Sequence, residues 1–173
     1  MGYTTEFEGK ITFNKPLNPQ FKEYVNAFCE IRHMKRSNEK IKELFPNWEK
    51  LCCNGMLGEE GQFFIGGTEY DNSVTDANNP PTLIPSLWCH WYLNENDELV
   101  WDGAEKFYNY ERWLAYLLYY FFEPNGYLGN GKFVYEGEDW EYDWGTLYVV
   151  NNAVSIMHKD KEPLFVYPDV IKN

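Results

Sequence analysis

The segment most informative about the fold is Leu87-Trp88-Cys89-His90-Trp91-Tyr92-Leu93-Asn94-Glu95-Asn96-Asp97-Glu98-Leu99-Val100-Trp101. Two apolar segments flank the polar residues Asn94 to Asp97, which is typical of a β-hairpin. Successive side chains of a strand point to opposite faces. Odd-numbered residues of the first segment therefore share one face, the better one for packing into a core. The other face carries Trp88, His90 and Tyr92.

A helix is predicted ahead of this hairpin. Asn18 offers a side-chain cap, and Pro19 suits the first helical position. Apolar residues then recur every three or four positions and form one stripe, which consists of Phe21, Tyr24, Val25, Phe28 and Ile31. The basic cluster between Arg32 and Arg36 is expected to close the helix, because positive charge is favourable at the helix C-terminus.

A second amphipathic helix is predicted after the hairpin. Asn109 is expected to cap it, and Pro124-Asn125-Gly126 is expected to end it. Its core-facing residues are Trp113, Leu114, Leu117, Leu118 and Phe121. A short additional helix over Asn38–Phe45 should end before Pro46.

The remaining regular segments are strands. Alternation of polar and apolar residues predicts them at Thr5–Phe13, Lys132–Glu136, Thr146–Val150 and Ala153–His158. The element order contains a βαββαβ core, which is typical of a split-βαβ (ferredoxin-like) arrangement. We therefore expect an α+β fold, with an antiparallel sheet, two helices on one face and a C-terminal hairpin. The length of 173 residues suits a single domain over residues 1–173.

Residues 46–86 form a loop-rich insertion, since Gly, Pro and Asn interrupt them repeatedly. They leave room for one short strand at Gln62–Ile65. Two arrangements remain open. The face that carries Trp88, His90 and Tyr92 is either bare, as binding surfaces often are, or covered by these loops in a second small core. The apolar residues available for that cover are Phe63, Phe64, Tyr70 and Leu83.

Negative charge is concentrated in the middle of the chain. Between Gly58 and Asp143 there are seventeen acidic and three basic residues, a formal charge of −14, against −12 for the whole chain. Such a surface repels phosphates, so we expect no direct nucleic-acid binding. The expected partner is instead a basic protein, such as one that itself binds nucleic acid.

The densest acidic segment is a candidate partner-binding surface. It consists of Glu136, Glu138, Asp139, Trp140, Glu141, Tyr142 and Asp143. Aromatic residues among the charges favour protein contact over mere solvation, because aromatic side chains anchor interfaces. The spacing of a calcium-binding loop is absent.

A second candidate site is a pocket between the hairpin and the loop that follows it. Its predicted residues are Trp88, His90, Tyr92, Asp102, Glu105 and Tyr108. Asp102 and Glu105 near His90 would form an acid–base cluster. The alternative is that these carboxylates are ordinary solvated loop residues.

No metal and no cofactor is expected. Cys29, Cys52, Cys53 and Cys89 lack metal-ligand spacing and are predicted to be buried reduced thiols. The first residues do not resemble a secretory signal, and the apolar run from Trp113 to Phe122 is too short to span a bilayer. A cytoplasmic protein without membrane contact is expected.

Three motifs together resemble a widespread, uncharacterised family of small bacterial and phage proteins. They are Met1-Gly2-Tyr3-Thr4-Thr5, Leu87-Trp88-Cys89-His90-Trp91 and Trp101-Asp102-Gly103-Ala104-Glu105-Lys106-Phe107-Tyr108. The resemblance extends from residue 1 to about residue 158. It implies a bacterial cell or a phage-infected one, and it assigns no catalytic or binding residue.

Three functions are consistent with these patterns. The leading hypothesis is a non-enzymatic acidic binding protein, namely a phage or mobile-element inhibitor that mimics nucleic acid and blocks a nucleic-acid-targeting defence enzyme such as a CRISPR effector. The first alternative is a small-molecule-binding protein or enzyme that uses the predicted pocket. The second alternative is a homo-oligomeric structural protein, such as a homodimer that buries Tyr116, Tyr119 and Tyr120.

Overall fold

The computed structural model describes residues 2–52, 56–67 and 69–170. The strands are β1 (Thr5–Phe13), β2 (Lys35–Arg36), β3 (Val74–Asp76), β4 (Trp91–Leu93), β5 (Leu99–Trp101), β6 (Gly129–Gly137), β7 (Trp144–Val150), β8 (Ala153–His158) and β9 (Leu164–Val166). The α-helices are α1 (Pro19–Glu30), α2 (Asn38–Leu44) and α3 (Tyr110–Leu117). The π-helical turn Leu118–Phe122 continues α3, and 3₁₀ turns lie at Trp48–Leu51 and Glu123–Asn125.

Seven strands form one antiparallel sheet in the order β4-β5-β1-β6-β7-β8-β9. The chain runs from β1 through α1 to β4, and β5 lies between those two strands. It then runs from β5 through α3 to β6, with β1 between them. Each βαβ unit is therefore split by one strand. The predicted α+β class with an antiparallel sheet is confirmed, whereas the ferredoxin-like assignment stays a prediction.

The C-terminal hairpin is confirmed as β7 and β8. Asn151 and Asn152 join these strands with φ angles of 47° and 70°. Asparagine tolerates this left-handed conformation better than most residues, which explains its use in the turn. The outer strand β9 was not predicted.

The helices cover one face of the sheet. On β1, Phe7 and Ile11 are buried under them, whereas Glu6, Glu8 and Lys10 are exposed on the open face. The Phe28 ring of α1 lies 6.3 Å from the Trp113 ring of α3, so the two helices also pack on each other. The expected core is confirmed: Val25, Phe28, Cys89, Trp91, Leu114, Leu117, Leu118, Leu147 and Val149 are buried, and Phe21 is half-buried against them.

The side-chain amide of Asn26 pairs with the backbone of the outer strand β4. Its Nδ2 donates to the Leu93 carbonyl oxygen at 3.0 Å, and its Oδ1 accepts from the Leu93 N–H at 2.8 Å. A residue of α1 thus satisfies both polar groups of Leu93 that a further strand would otherwise bind.

The described loop residues 46–52, 56–67 and 69–86 form a third layer on the helices. The Phe63 ring is fully buried and lies 5.0 Å from the Phe121 ring, so it extends the main core. Tyr70, in contrast, is 73% exposed. The loops therefore cover the helices and do not build a second core over the open face of the sheet. The predicted strand Gln62–Ile65 is wrong, because only Phe64 makes an isolated bridge, with Cys52.

The predicted strand Leu87–Leu93 is too long at its start. Only Trp91 to Leu93 pair with β5, because β5 is itself only three residues long. Tyr92 therefore lies on the open face of the sheet, whereas Trp88 and His90 belong to the segment that leads into β4.

The prediction that the basic cluster closes the first helix is wrong, since α1 ends at Glu30 and Arg36 lies in β2. The Arg36 side chain is fully buried. Its Nη1 donates to Asp71 Oδ2 at 2.7 Å and to Ser73 Oγ at 2.8 Å, and its Nη2 donates to the carbonyl oxygens of Gly67 and Glu69. A cation that leaves water needs such partners, so this arginine ties the loop of residues 67–73 to β2.

His33 from the same cluster is also fully buried. Its ring lies 4.6 Å from the Phe28 ring and 5.0 Å from the Trp113 ring, and Nδ1 lies 3.2 Å from Gln62 Oε1. Burial disfavours the charged imidazolium and lowers the pKa of His33 from 6.5 to about 3.

Stability should therefore fall on mild acidification. Because the folded-state pKa of His33 is lowered, the unfolded chain binds a proton below pH 6.5 that the folded protein excludes. The free energy of unfolding should drop by about 2 kcal/mol between about pH 7.5 and about pH 5, a range above most carboxylate pKa values. Urea unfolding at several pH values measures this loss. The variant H33Q should lose most of this pH dependence, whereas H158Q should keep it, since the His158 side chain is partly exposed. Equal pH dependence of H33Q and the wild type would contradict this prediction.

Candidate functional site

A cavity of about 700 Å³, here called the main cavity, lies where the loops of residues 80–88 meet the loop after β5. It is lined by Pro80, Pro85, Ser86, Leu87, Trp88, His90, Glu105, Lys106 and Tyr108. Four of the six predicted pocket residues line it, namely Trp88, His90, Glu105 and Tyr108. The other two, Tyr92 and Asp102, line a side cavity of about 350 Å³ that shares Trp88 and His90 with it.

The contribution of the insertion to the cavity wall, through Pro80, Pro85 and Ser86, was not predicted from the sequence. The adjacent prolines Pro80 and Pro81 could have indicated a rigid turn here, because proline fixes φ. The contact of this turn with the loop after β5 is a long-range feature that local patterns do not reveal.

Hydrogen bonds hold the walls of the main cavity in place. Ser86 Oγ accepts from Trp113 Nε1 at 2.7 Å and lies 3.2 Å from the carbonyl oxygens of Trp88 and Tyr108. Asn109 Nδ2 donates to the Pro85 carbonyl oxygen at 2.7 Å. The two loops are thus linked to each other and to α3, and the cavity is preformed. Asn109 does not make the predicted side-chain cap, because its backbone is left-handed (φ 54°, ψ 35°), whereas a capping residue is typically extended.

The loop after β5 has a strained backbone. Gly103, Lys106 and Asn109 all have positive φ, at 83°, 62° and 54°. For a lysine, the left-handed conformation costs roughly 1–2 kcal/mol, because its β-carbon approaches the following carbonyl oxygen. Strain of this kind is concentrated at functional sites, where surrounding contacts maintain it.

His90 and Asp102 form a pair at the junction of the two cavities. His90 Nδ1 lies 3.0 Å from Asp102 Oδ2, and Asp102 Oδ1 accepts from the Ala104 N–H at 2.8 Å. A carboxylate can only accept, so the neutral imidazole carries its proton on Nδ1 and has Nε2 as an acceptor. The predicted proximity of His90 and Asp102 is thus present, whereas Glu105 has no ion pair among the described residues.

The thiols beside this pair are not set up as nucleophiles. Cys89 is buried in the wall of the side cavity, next to Cys29. Burial raises the pKa of the Cys89 thiol well above its ordinary value, with a further contribution from Cys29. The thiolate that nucleophilic catalysis needs is therefore disfavoured.

The acidic candidate surface is the turn between β6 and β7, here called the acidic hairpin (residues 136–143). Trp140 and Tyr142 are 63% and 62% exposed. Glu136 lies directly across from Glu6 on β1, and neither carboxylate has an ionic partner among the described residues. Like charges at facing positions of a sheet are destabilising.

The acidic hairpin is anchored to the first residues of the described chain. Thr4 N donates to Glu138 Oε1 at 2.7 Å, and the Tyr3 hydroxyl donates to Asp143 Oδ2 at 2.7 Å. Gly2, in turn, is in contact with the Lys106 side chain at the main cavity. Residues 2–4 therefore lie between the two candidate sites.

The aromatic surface proposed for homo-oligomerisation is not present as predicted. Tyr116 is fully buried beside the rings of Phe28 and Trp113. Tyr119 is exposed, and the Tyr120 hydroxyl donates to the Asp169 carbonyl oxygen at 2.7 Å. The insertion explains the difference, because its Phe63 ring lies 6.4 Å from the Tyr116 ring and 5.9 Å from the Tyr120 ring and covers this side of the helix.

Within residues 2–52, 56–67 and 69–170, no group of three or more His, Cys, Asp or Glu residues could hold a metal ion. Cys53, one of the four cysteines considered as metal ligands, lies outside the described residues. Among the described helices, none has the length and apolar character needed to cross a membrane.

Comparison with protein-family models, with curated proteins and with solved structures finds no match for this chain. The resemblance to bacterial and phage proteins therefore stays a prediction. A function for this protein has to be inferred from the two candidate sites.

Proposed function

We propose that this protein binds a small molecule in the main cavity. The observation that supports this most is a preformed cavity of about 700 Å³ with two aromatic walls, Trp88 and Tyr108. Ligand sites typically have volumes of about 300–1,000 Å³, apolar linings and a few convergent polar groups. Here His90, Glu105 and Lys106 supply the polar groups.

A binding role fits the main cavity better than catalysis. The His90–Asp102 pair offers a base, but the hydroxyl of Ser86 is occupied by Trp113 and by backbone carbonyls. The nearby Cys89 thiol is buried and protonated. Catalysis through a side-chain nucleophile would need an activated Ser or Cys beside this base, and neither Ser86 nor Cys89 is arranged as one.

Removal of one aromatic wall should weaken binding. Nile red, an uncharged dye that fluoresces in apolar cavities, should bind the wild type saturably, and W88A should weaken this binding by at least about tenfold. W140A is the matched control, because Trp140 is exposed outside the main cavity, and its affinity should stay within about twofold. Thermal unfolding checks that both variants fold. Equal affinities of W88A and W140A would contradict a ligand site at Trp88.

A second candidate function depends on the acidic hairpin. We propose that it binds a basic, nucleic-acid-binding protein, because the uncompensated carboxylates of Glu6 and Glu136 would be neutralised by cations of a partner. In a phage or mobile element, such a protein would inhibit a defence enzyme by nucleic-acid mimicry. The free thiols of Cys29 and Cys89 suit the bacterial cytoplasm, which stays a prediction.

Neutralising the acidic hairpin should slow association with such a partner. With a partner captured from a bacterial lysate, the triple variant E138Q/D139N/E141Q should show a lower on-rate and a weaker salt dependence above about 0.15 M, where the Debye length is about 8 Å. W140A should instead raise the off-rate, since an aromatic side chain that the partner buries on binding anchors the interface. Biosensor kinetics separate the two effects.

The control for charge is a second triple variant, E39Q/E43Q/E49Q. These residues are exposed on and after α2, so the net charge changes equally at a different place. If both triple variants alter the on-rate equally, the effect belongs to net charge and the acidic hairpin is not the binding surface.

A further inference from the structure

We propose that the ligand of the main cavity is a neutral, planar aromatic molecule that donates an N–H or O–H hydrogen bond to Nε2 of His90. This inference depends on the proposed small-molecule function and adds the chemical class of the ligand. It follows from the faces of two aromatic side chains, the tautomer of one histidine and the balance of charge on the cavity wall.

The aromatic walls favour a flat ligand. The Arg32 guanidinium lies 5.7 Å from the centre of the Trp88 ring and covers one of its faces. Trp88 is still 41% exposed, and its remaining surface lines the main cavity. Tyr108 is 52% exposed and lines the same cavity. A ring that enters can stack on either side chain, and aromatic contacts of this kind add energy beyond simple area burial.

His90 supplies a hydrogen-bond acceptor. Its Nδ1 proton is held by the Asp102 carboxylate, as the 3.0 Å distance indicates. Asp102 lines the side cavity and not the main cavity, so the Nδ1 edge of the ring turns toward the side cavity. By this geometry Nε2 would face the main cavity, and no hydrogen bond from the described residues reaches it. The missing donor has to come from water or from the ligand, and a ligand that lacks one leaves this nitrogen unpaired.

The wall charges favour a ligand without net charge. Glu105 and Lys106 bring one negative and one positive group to the main cavity, and the remaining lining residues are neutral or apolar. A charged ligand would leave much of its solvation shell for an apolar surface with no net compensating charge. Neutral heterocycles with a ring N–H, and phenols, satisfy all three conditions.

A pair of isosteric probes tests the hydrogen bond. Indole carries a ring N–H, whereas benzofuran has an oxygen at the same position and cannot donate. Titrations followed by amide NMR shifts give both dissociation constants and locate each probe. The wild type should bind indole at least about tenfold more tightly than benzofuran, which corresponds to about 1.4 kcal/mol. H90F keeps an aromatic ring but removes the acceptor, so it should bind both probes equally.

The outcomes separate this inference from the proposed function. If the wild type binds both probes equally, or binds neither but still binds Nile red at Trp88, the ligand class is wrong and the cavity remains a binding site. If neither the heterocycles nor the dye binds at Trp88, both proposals fail. Nitrogen-15 spectra of the His90 imidazole give a readout that needs no variant. The proton should reside on Nδ1, and a proton on Nε2 would overturn the inference.

Discussion

Replacing Arg36 by Met should lower the free energy of unfolding by about 3–5 kcal/mol, the usual cost of breaking a buried ion pair from one side. Met fills a similar volume, so the loss would come from the polar groups left behind. The Asp71 carboxylate, the Ser73 hydroxyl and the carbonyl oxygens of Gly67 and Glu69 all lose their donor. Urea unfolding followed by tryptophan fluorescence measures the change.

An exposed ion pair of the same type is the matched control. Arg112 pairs with Asp169, and their side chains are 40% and 50% exposed. R112M should therefore cost at most about 1 kcal/mol. If R36M and R112M lose equal stability, burial of Arg36 contributes nothing and the loop of residues 67–73 is held by other contacts.

Replacing Leu117 by Ala should cost about 2–5 kcal/mol, because it removes buried methyl groups and leaves a cavity. Leu117 is fully buried in the core. The control is L44A at the end of α2, where the leucine is 41% exposed and little should change. Thermal or urea unfolding compares the two. A loss below about 1 kcal/mol for L117A would show that α3 is peripheral to the core.

Much of the sheet and both long helices could be predicted, because their residues follow simple periodicities. The alternation in β1 and the apolar stripe of α1 depend only on which face is buried, and both are observed. The turn at Asn151 and Asn152 could also be inferred from the sequence, because the positive φ that it requires is a local property that asparagine tolerates.

The insertion could not be predicted, because its path is set by contacts between residues distant in the sequence. Arg36 and His33 are residue types that are common at the solvated end of a helix. Here they are buried, because they bind partners 29 to 37 residues further along the chain. The candidate site contains one contact that could be predicted from the sequence and one that could not. The pairing of β4 with β5 brings Asp102 beside His90, as local patterns indicated, whereas Pro80 and Ser86 reach the main cavity only through the fold of the insertion.

The Asn26 amide has a consequence for assembly. Fibres that grow by strand addition need two open edges on every molecule, one to accept the previous copy and one to receive the next. Here the β4 edge is already occupied at Leu93 by a side chain of the same molecule. In the described seven-stranded sheet the other outer strand is β9, a three-residue segment with Pro163 and Pro168 close to its ends. We therefore expect association through this sheet to favour pairs of molecules over growing fibres.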